Sequence, residues 1–393
     1  MLIEIHMIQN HSPANLNRDD LGAPKTCWFG GVLRSRISSQ CIKRSIRMSD
    51  EFHKLLGGIR TRQLAKLIVD EAAEKKDGAK RVEKILELCG LKPKKGRGEE
   101  SGEEGAPASE KSKMLVYTTR GAIKEMAALF QSAGGKSDAA LAQAFGKLIE
   151  ERTAVPDMAL CGRMLETGVL KNTTVDAALQ VAHAISTHEA RPEVDYYVAA
   201  DDERGEDAGA GYVDEAMFAS ACFYKYFSIH WETLVKNLSG FPGNKEPLAA
   251  HTIGAFLRGA ALVTPSGKQN SFAAHNPPEG ILVEMRKKKT PISYANAFAK
   301  PVETGERDIV SQSVAQLAQY VHDLDAGFGK SDKRFWFSPN LRHDLSAQED
   351  KREIALAENN FKSLEELTSA VIAGIGHDWK SVQNVAVNPE AAS

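Results

Sequence analysis

The chain predicts an α+β fold in which sheet-forming ends enclose a helical insertion, and three observations carry that expectation. At the start, Leu2, Glu4, His6 and Ile8 alternate with Ile3, Ile5, Met7 and Gln9, the two-residue period of a strand over residues 2–9. Residues 216–229 repeat that pattern, with Met217, Ala219, Ala221, Phe223, Phe227 and Ile229 on one face. Phe218 and Tyr224 on the other side imply that this second face is also covered. Between the two strands most segments carry helical spacing, so the order is not that of repeated βαβ units.

Taken along the chain, the Asn-, Asp-, Pro- and Gly-rich stretch Asn10–Gly31 predicts a long loop. A helix is expected from Ser38 or Ser39 to Met48, because either serine can cap the free amides of its first turn. Further helices fit 60–76 and 79–89. Residues 91–113, LKPKKGRGEESGEEGAPASEKSK, have almost no large apolar groups to offset ordering entropy and read as a flexible surface loop. Helices follow over 119–131 and 137–150. Val175, Ala178, Leu179, Ala182 and Ile185 form an apolar stripe that predicts a helix over Thr174–His188. Pro192 then forces an extended exit, and residues 193–215 predict a projecting hairpin with Tyr196 and Tyr197 on its first arm. A helix near 247–261, a strand near 281–286 and mostly helical segments beyond 293 complete the expectation.

Composition narrows the function. Hydrophobic residues at 42% and charged residues at 26% are the balance of an ordinary globular protein, large enough for a sizeable core. No window approaches the roughly 20 apolar residues needed to cross a bilayer, and the first residues lack a signal-peptide pattern, so a cytoplasmic location and no membrane partner are expected. The five cysteines (Cys27, Cys41, Cys89, Cys161 and Cys222) form no CxxC pair, which argues against a disulfide framework or a thiolate metal site. The histidines make neither HExxH nor an HD pair, no serine sits in a GxSxG elbow, and there is no Walker motif or glycine-rich dinucleotide loop. No cofactor and no resident metal are expected.

The net charge of -2 conceals one basic segment: Lys25–Lys66 holds ten lysines and arginines against Asp50 and Glu51, a local net of +8. Such a concentration in a near-neutral chain suits a groove for a polyanion. Within it, Gln40, Lys43 and Arg47 share a helix face, and Arg36 enters that face just before the first turn. Ser38 sits where the helix exposes unpaired amides, a natural phosphate-binding end. Hydroxyls and amides beside cations contact a nucleic-acid backbone without reading bases. A competing reading places a divalent cation on Asp19 and Asp20, with Asp50 or Glu51, for metal-dependent cleavage of RNA.

The opening IEIHMIQNHSPANLNRDDLGAPKTCWFGGVLRSRISSQCIKR resembles the CasC family, the multicopy backbone subunit of the type I-E CRISPR surveillance complex Cascade. The resemblance continues in MALCGRM (158–164), AALQVAHAISTHEARPEVDYYVAADD (177–202), the strand after Met217 and KQNSFAAHNP (268–277). It implies a modified RNA-recognition-motif (ferredoxin-like) palm that begins with residues 1–55, and a helical fingers insertion over 56–170. A palm helix at 171–192, a thumb hairpin at 193–215, a return to the palm over 216–290 and a helical C-terminal region at 291–393 would follow. Lys25, Ser38, Gln40, Lys43 and Arg47 would touch RNA phosphates and sugars, Met164 would press on bases, and Tyr196 and Tyr197 would form a base-displacing wedge. The implied protein is not an enzyme. Its implied partners are guide RNA, target DNA, further copies of itself in a helical filament, the large, small, guide-end-capping and guide-processing subunits, and a recruited nuclease-helicase.

Overall fold

The computed structural model describes residues 1–385 except 54, 56, 74–75, 92–114, 166–169, 171–172, 200–211, 304–307 and 358–359. The low-complexity loop predicted at 91–113 therefore lies outside the described residues, apart from Leu91. Two compact units emerge: one of residues 1–53, 180–230 and 250–384, the other of residues 54–179, 231–249 and 385–393.

The first unit opens with β1 (Leu2–Ala14), β2 (Thr26–Phe29), β3 (Val32–Ile37), α1 (Ser39–Arg47) and the single turn α2 (Asp50–His53). β1 is longer than its alternation predicts and β2 is a strand, so the expected loop over 10–31 shrinks to the segment between them. The polar residues that read as loop, Asn10 and His11, are held in the ladder opposite Cys222 and Ala221. A register shift between His11 and Ala14 then bends the chain out of the sheet toward Asn17.

The second unit contains β4 (Gly58–Thr61), α3 (Leu64–Glu71), α4 (Lys76–Leu88), β5 (Val116–Thr119), α5 (Arg120–Gln131), α6 (Asp138–Glu151) and α7 (Pro156–Cys161). Apolar stripes of its helices meet in one core that includes Ile68, Val82, Ile85, Met126, Phe145 and Ile149. Thr119 and Ser137 cap α5 and α6 by accepting from the amides of Ala122 and Ala140 at 3.0 and 3.3 Å. The helices expected at 79–89, 119–131 and 137–150 are present within one to three residues. The segment expected as a helix over 60–76 divides into β4 and the shorter α3.

The helix expected over Thr174–His188, and with it the palm helix at 171–192, is not there. The chain instead forms two short strands, β6 (Leu179–Val181) and β7 (Ala184–Ser186). β7 fills a slot in the sheet, pairing with β3 (Ile185 opposite Arg36) and with the later strand β9 (Ile185 opposite Tyr224). A five-residue stripe satisfies a helical period by spacing alone. Two waiting strand edges supply hydrogen bonds that no local pattern reports.

β8 (Glu193–Ala199) and the long β9 (Tyr212–His230) pair antiparallel from Glu193 opposite Phe218 to Ala199 opposite Tyr212, so the arms of the predicted hairpin are present. After α8 (Trp231–Asn237), α9 (Lys245–Leu262), the turn α10 (Gln269–Phe272) and β10 (Gly280–Arg286), the region expected to be helical proves mixed. α11 (Ile309–Phe328) is followed by β11 (Lys333–Phe337), β12 (Ser346–Glu349), β13 (Arg352–Ala355), β14 (Asn360–Phe361), α12 (Leu364–Gly374) and α13 (Trp379–Val382). β11 is five residues long and gains its place by pairing with β10, a partner about fifty positions away in sequence.

The main sheet has ten strands in the path β14-β11-β10-β1-β9-β7-β3-β2, with β6 and β8 also on β9. Neighbours along this path run antiparallel except β11 and β14, which are parallel. Both faces of the centre are covered. Tyr224, Tyr226, Leu282 and Trp336 share a core with Val314, Leu317 and Val321 of α11, while Phe227 lies edge-on to Phe256 of α9 at 5.4 Å. Between β1 and α11 lies a buried ionic network. Arg286 pairs with Glu4 at 2.9 Å and Glu284 at 3.1 Å, and Arg334 pairs with Glu284 at 2.7 Å and Asp325 at 2.8 Å. Carboxylates this deep require such partners to remain ionised.

Candidate nucleic-acid interface

The site is built where the chain leaves β1 and enters α1, within the first unit. Ser38 is extended (φ -69°, ψ 147°), and its Oγ accepts from the amide of Cys41 at 3.3 Å, which starts the helix as its sequence predicts. The Ser38 amide in turn donates to Asn17 Oδ1 at 2.9 Å. Asn17 also accepts the Lys25 amide on its carbonyl at 2.8 Å, and the Lys25 carbonyl accepts the Arg36 amide at 2.8 Å. One asparagine thus ties the loop, the end of β3 and the helix entry together. Sequence reading missed Asn17, because its role is visible only when residues 21 positions apart are brought together.

Lys25 and Arg36 line one small pocket with Asn17, His11 and Phe223. Arg36 donates to the Thr26 carbonyl at 3.2 Å and lies 2.9 Å from His183 Nδ1. An arginine has no acceptor, so this ring nitrogen accepts and carries no proton. Burial, then the charges of Arg36 and Lys25, hold His183 below its ordinary pKa, consistent with a neutral ring. The first turn of α1 contains no acidic residue, so nothing opposes an anion at its free amides.

The helix faces divide as expected with one exception. Ile42 and Ile46 are buried, Gln40 is exposed and Lys43 is half-buried. Arg47, placed with them by spacing, is buried at 9% exposure. Arg44 stands exposed instead, four residues after Gln40. Beneath the helix, Lys225 of β9 is 3% exposed and donates to Gln9 Oε1. Burial lowers it to about 8, opposed by the nearby Cys41 thiol. A lone lysine in an apolar strand was the readable signal. Arg34 contributes nothing to the surface: it is fully buried and donates to the carbonyls of Phe29, Ser186, Phe298 and Ala299 at 2.7–3.3 Å.

Other predicted residues sit elsewhere. Met164, in the second unit, is 86% exposed, while its neighbour Arg163 is buried and donates to the Thr173 carbonyl at 2.7 Å. Tyr196 and Tyr197 are adjacent on β8 and point to opposite sides of the hairpin. Tyr196 is 71% exposed, whereas the Tyr197 hydroxyl donates to Asp214 at 2.8 Å. Two acids of the competing metal reading, Asp19 and Glu51, have other employment. Asp19 Oδ1 accepts from the amides of Leu21 and Ala23 at 3.0 and 2.9 Å, closing the loop tip, and Glu51 pairs with Arg258 at 3.0 Å. Asp20 is exposed. Among the described residues no three His, Cys, Asp or Glu side chains are grouped to hold a metal ion.

The CT1975-like protein family matches residues 3–370. This chain belongs to that family of Cas proteins. A solved chain of a "CRISPR RNA-guided surveillance complex, pre-nicking" is 28% identical with a TM-score of 0.76, over 95% of this chain and 100% of the other. A chain of a second "CRISPR RNA-guided surveillance complex" is 23% identical with a TM-score of 0.59 over the same shares, a likeness of fold. Comparison with curated proteins finds no match. Among the described residues no helix is long and apolar enough to cross a membrane.

Proposed function

We propose that this member of the CT1975-like family is a non-catalytic backbone subunit that coats the guide RNA of a type I-E CRISPR surveillance complex in several copies. The observation that carries the reading is the acid-free, serine-capped end of α1 with Lys25, Arg36, Gln40 and Lys43 around it. Its amides, hydroxyl and cations suit phosphates and sugars and leave Watson–Crick edges untouched. Specificity then comes from pairing between guide and target DNA, not from the protein.

In this reading the first unit is the modified RNA-recognition-motif palm, the helical second unit the fingers, and the β8–β9 hairpin the thumb. Tyr196 displaces a base at regular intervals, and Met164 presses on the bases. Arg47 serves the fold of α1. The helical filament docks the large, small, guide-end-capping and guide-processing subunits, and a separate nuclease-helicase destroys the target. The engagement of Asp19 in its own turn supports a role without cutting.

Native mass spectrometry after coexpression with guides of increasing spacer length tests the proposal. Copies are expected to add one at a time at a regular nucleotide interval. A fixed protomer number at every length overturns it. In the same preparations, divalent metal is expected to leave the RNA intact; cutting abolished by Asp20→Ala would establish the ribonuclease reading.

A further inference from the structure

At the opposite end of β1 from the α1 groove, the C-terminus of α11 and the chain after β10 enclose a depression of about 780 Å³. Its rim carries Lys287, Lys288 and Lys330, all exposed, together with Thr290. The cations have no acidic excess to balance them. Arg286 is already committed to Glu4 and Glu284, and Asp332 is the one acid in the lining, its Oδ2 accepting the Lys287 amide at 2.7 Å. The interior is apolar, with Ile292 and Leu324 half-buried and the Phe328 ring 75% exposed. The Phe328 ring thus presents an open π-face beside three lysines, a surface on which a base can stack.

We propose that this depression binds single-stranded nucleic acid, as a second polynucleotide surface separate from the α1 groove. Leu2 pairs with Arg286 at this end of β1, while Ala14 lines the groove pocket at the other. Thirteen strand residues place the two surfaces roughly 40 Å apart, too far for one nucleotide to touch both. Lysines are flexible point charges that neutralise phosphates without a preferred base, and an exposed ring stacks on any base. Arginine forks would be expected for an acidic protein partner held by bidentate pairs. The exposed cations here are lysines, and the one arginine in the lining is tied inside.

The test uses the full chain as purified, retaining whatever RNA it carries, with a fluorescein-labelled oligothymidylate titrated across a range of salt. The wild type is expected to bind it. Lys287→Glu combined with Lys288→Glu and Lys330→Glu is expected to weaken that binding at least tenfold. It should also reduce the salt slope by about 2, near 0.7 for each lost phosphate contact. Phe328→Ala should weaken binding by about fivefold or more with the slope unchanged. All four side chains are exposed, so unaltered thermal melting shows that folding is intact.

No binding by the wild type, or equal binding by the triple variant, overturns the inference. So does a triple variant that keeps oligonucleotide affinity but loses protomers from its assembly, which would make the patch a protein-docking surface. A Lys25→Ala, Lys43→Ala variant separates this inference from the proposed guide-coating role. It is expected to lose carried RNA and to keep its patch-dependent oligothymidylate binding.

Discussion

Lys43 is half-buried on α1, beside the buried Ile42 and Ile46, with its charge near the capped entry of the helix. Lys43→Ala is expected to weaken RNA binding by about tenfold, the order of one charge-assisted hydrogen bond, equally for unrelated guides. Filter binding over a salt series should show the slope falling by about 0.7; a loss confined to some sequences contradicts a base-blind groove. Ser38→Ala removes the cap of α1 and should cost about 1 kcal/mol in urea unfolding, with RNA affinity reduced as the first turn frays. Ser38, Gln40 and Lys43 were readable as a capped, polar helix face because helix spacing and cap chemistry are local, whereas Lys25 came only from the family resemblance. The burial of Arg47 was not readable, since spacing places a residue on a face but does not say what packs over it.

The β8–β9 hairpin shows what an element adds to its residues. Adjacent tyrosines on a strand face opposite ways, so in the proposed role only one of them can meet a given bound strand. Tyr197 is tied to Asp214, which makes Tyr196, 71% exposed, the candidate for the proposed base displacement. Tyr196→Ala is expected to change stability by less than about 0.5 kcal/mol, as at other exposed positions. The same variant should broaden the distribution of protomers per guide in native mass spectra, whereas Tyr197→Phe should leave it sharp. The reverse outcome assigns the wedge to Tyr197. The hairpin itself was readable from Pro192 and the acidic, glycine-rich sequence that follows Tyr196 and Tyr197. β7 was not, because its three residues become a strand only between β3 and β9.

Across the whole first unit, the buried network joins residues 4, 284, 286, 325 and 334 and brings a pH dependence with it. Burial lowers His6 to about 3, so its ring stays neutral in the fold. The unfolded chain, with an ordinary histidine near 6.5, takes up a proton that the folded chain refuses. The stability is therefore complete above pH 6.5 and is lost as pH falls from 6.5 toward 3, by up to about 1.4 kcal/mol per pH unit. Burial alone would raise Glu284, yet the Arg334 and Arg286 guanidiniums beside it hold it down, to about 2, which adds a further loss below about pH 4.5. The melting temperature should thus drop between about pH 7 and about pH 5, and less steeply in His6→Gln. A flat profile for the wild type would show that His6 takes up no proton on unfolding.

By itself the sequence determined the α+β class, the first and longest strands, the helices of the insertion, the capped start of α1 and the hairpin arms. Each depends on contacts within a few residues, where period and capping chemistry are complete. Tertiary structure alone decided the place of β7 and β11, the clip made by Asn17 and the burial of Arg34 and Arg47. Most of these rest on partners tens to hundreds of positions away, and a hydrogen bond across that distance leaves no trace in local spacing.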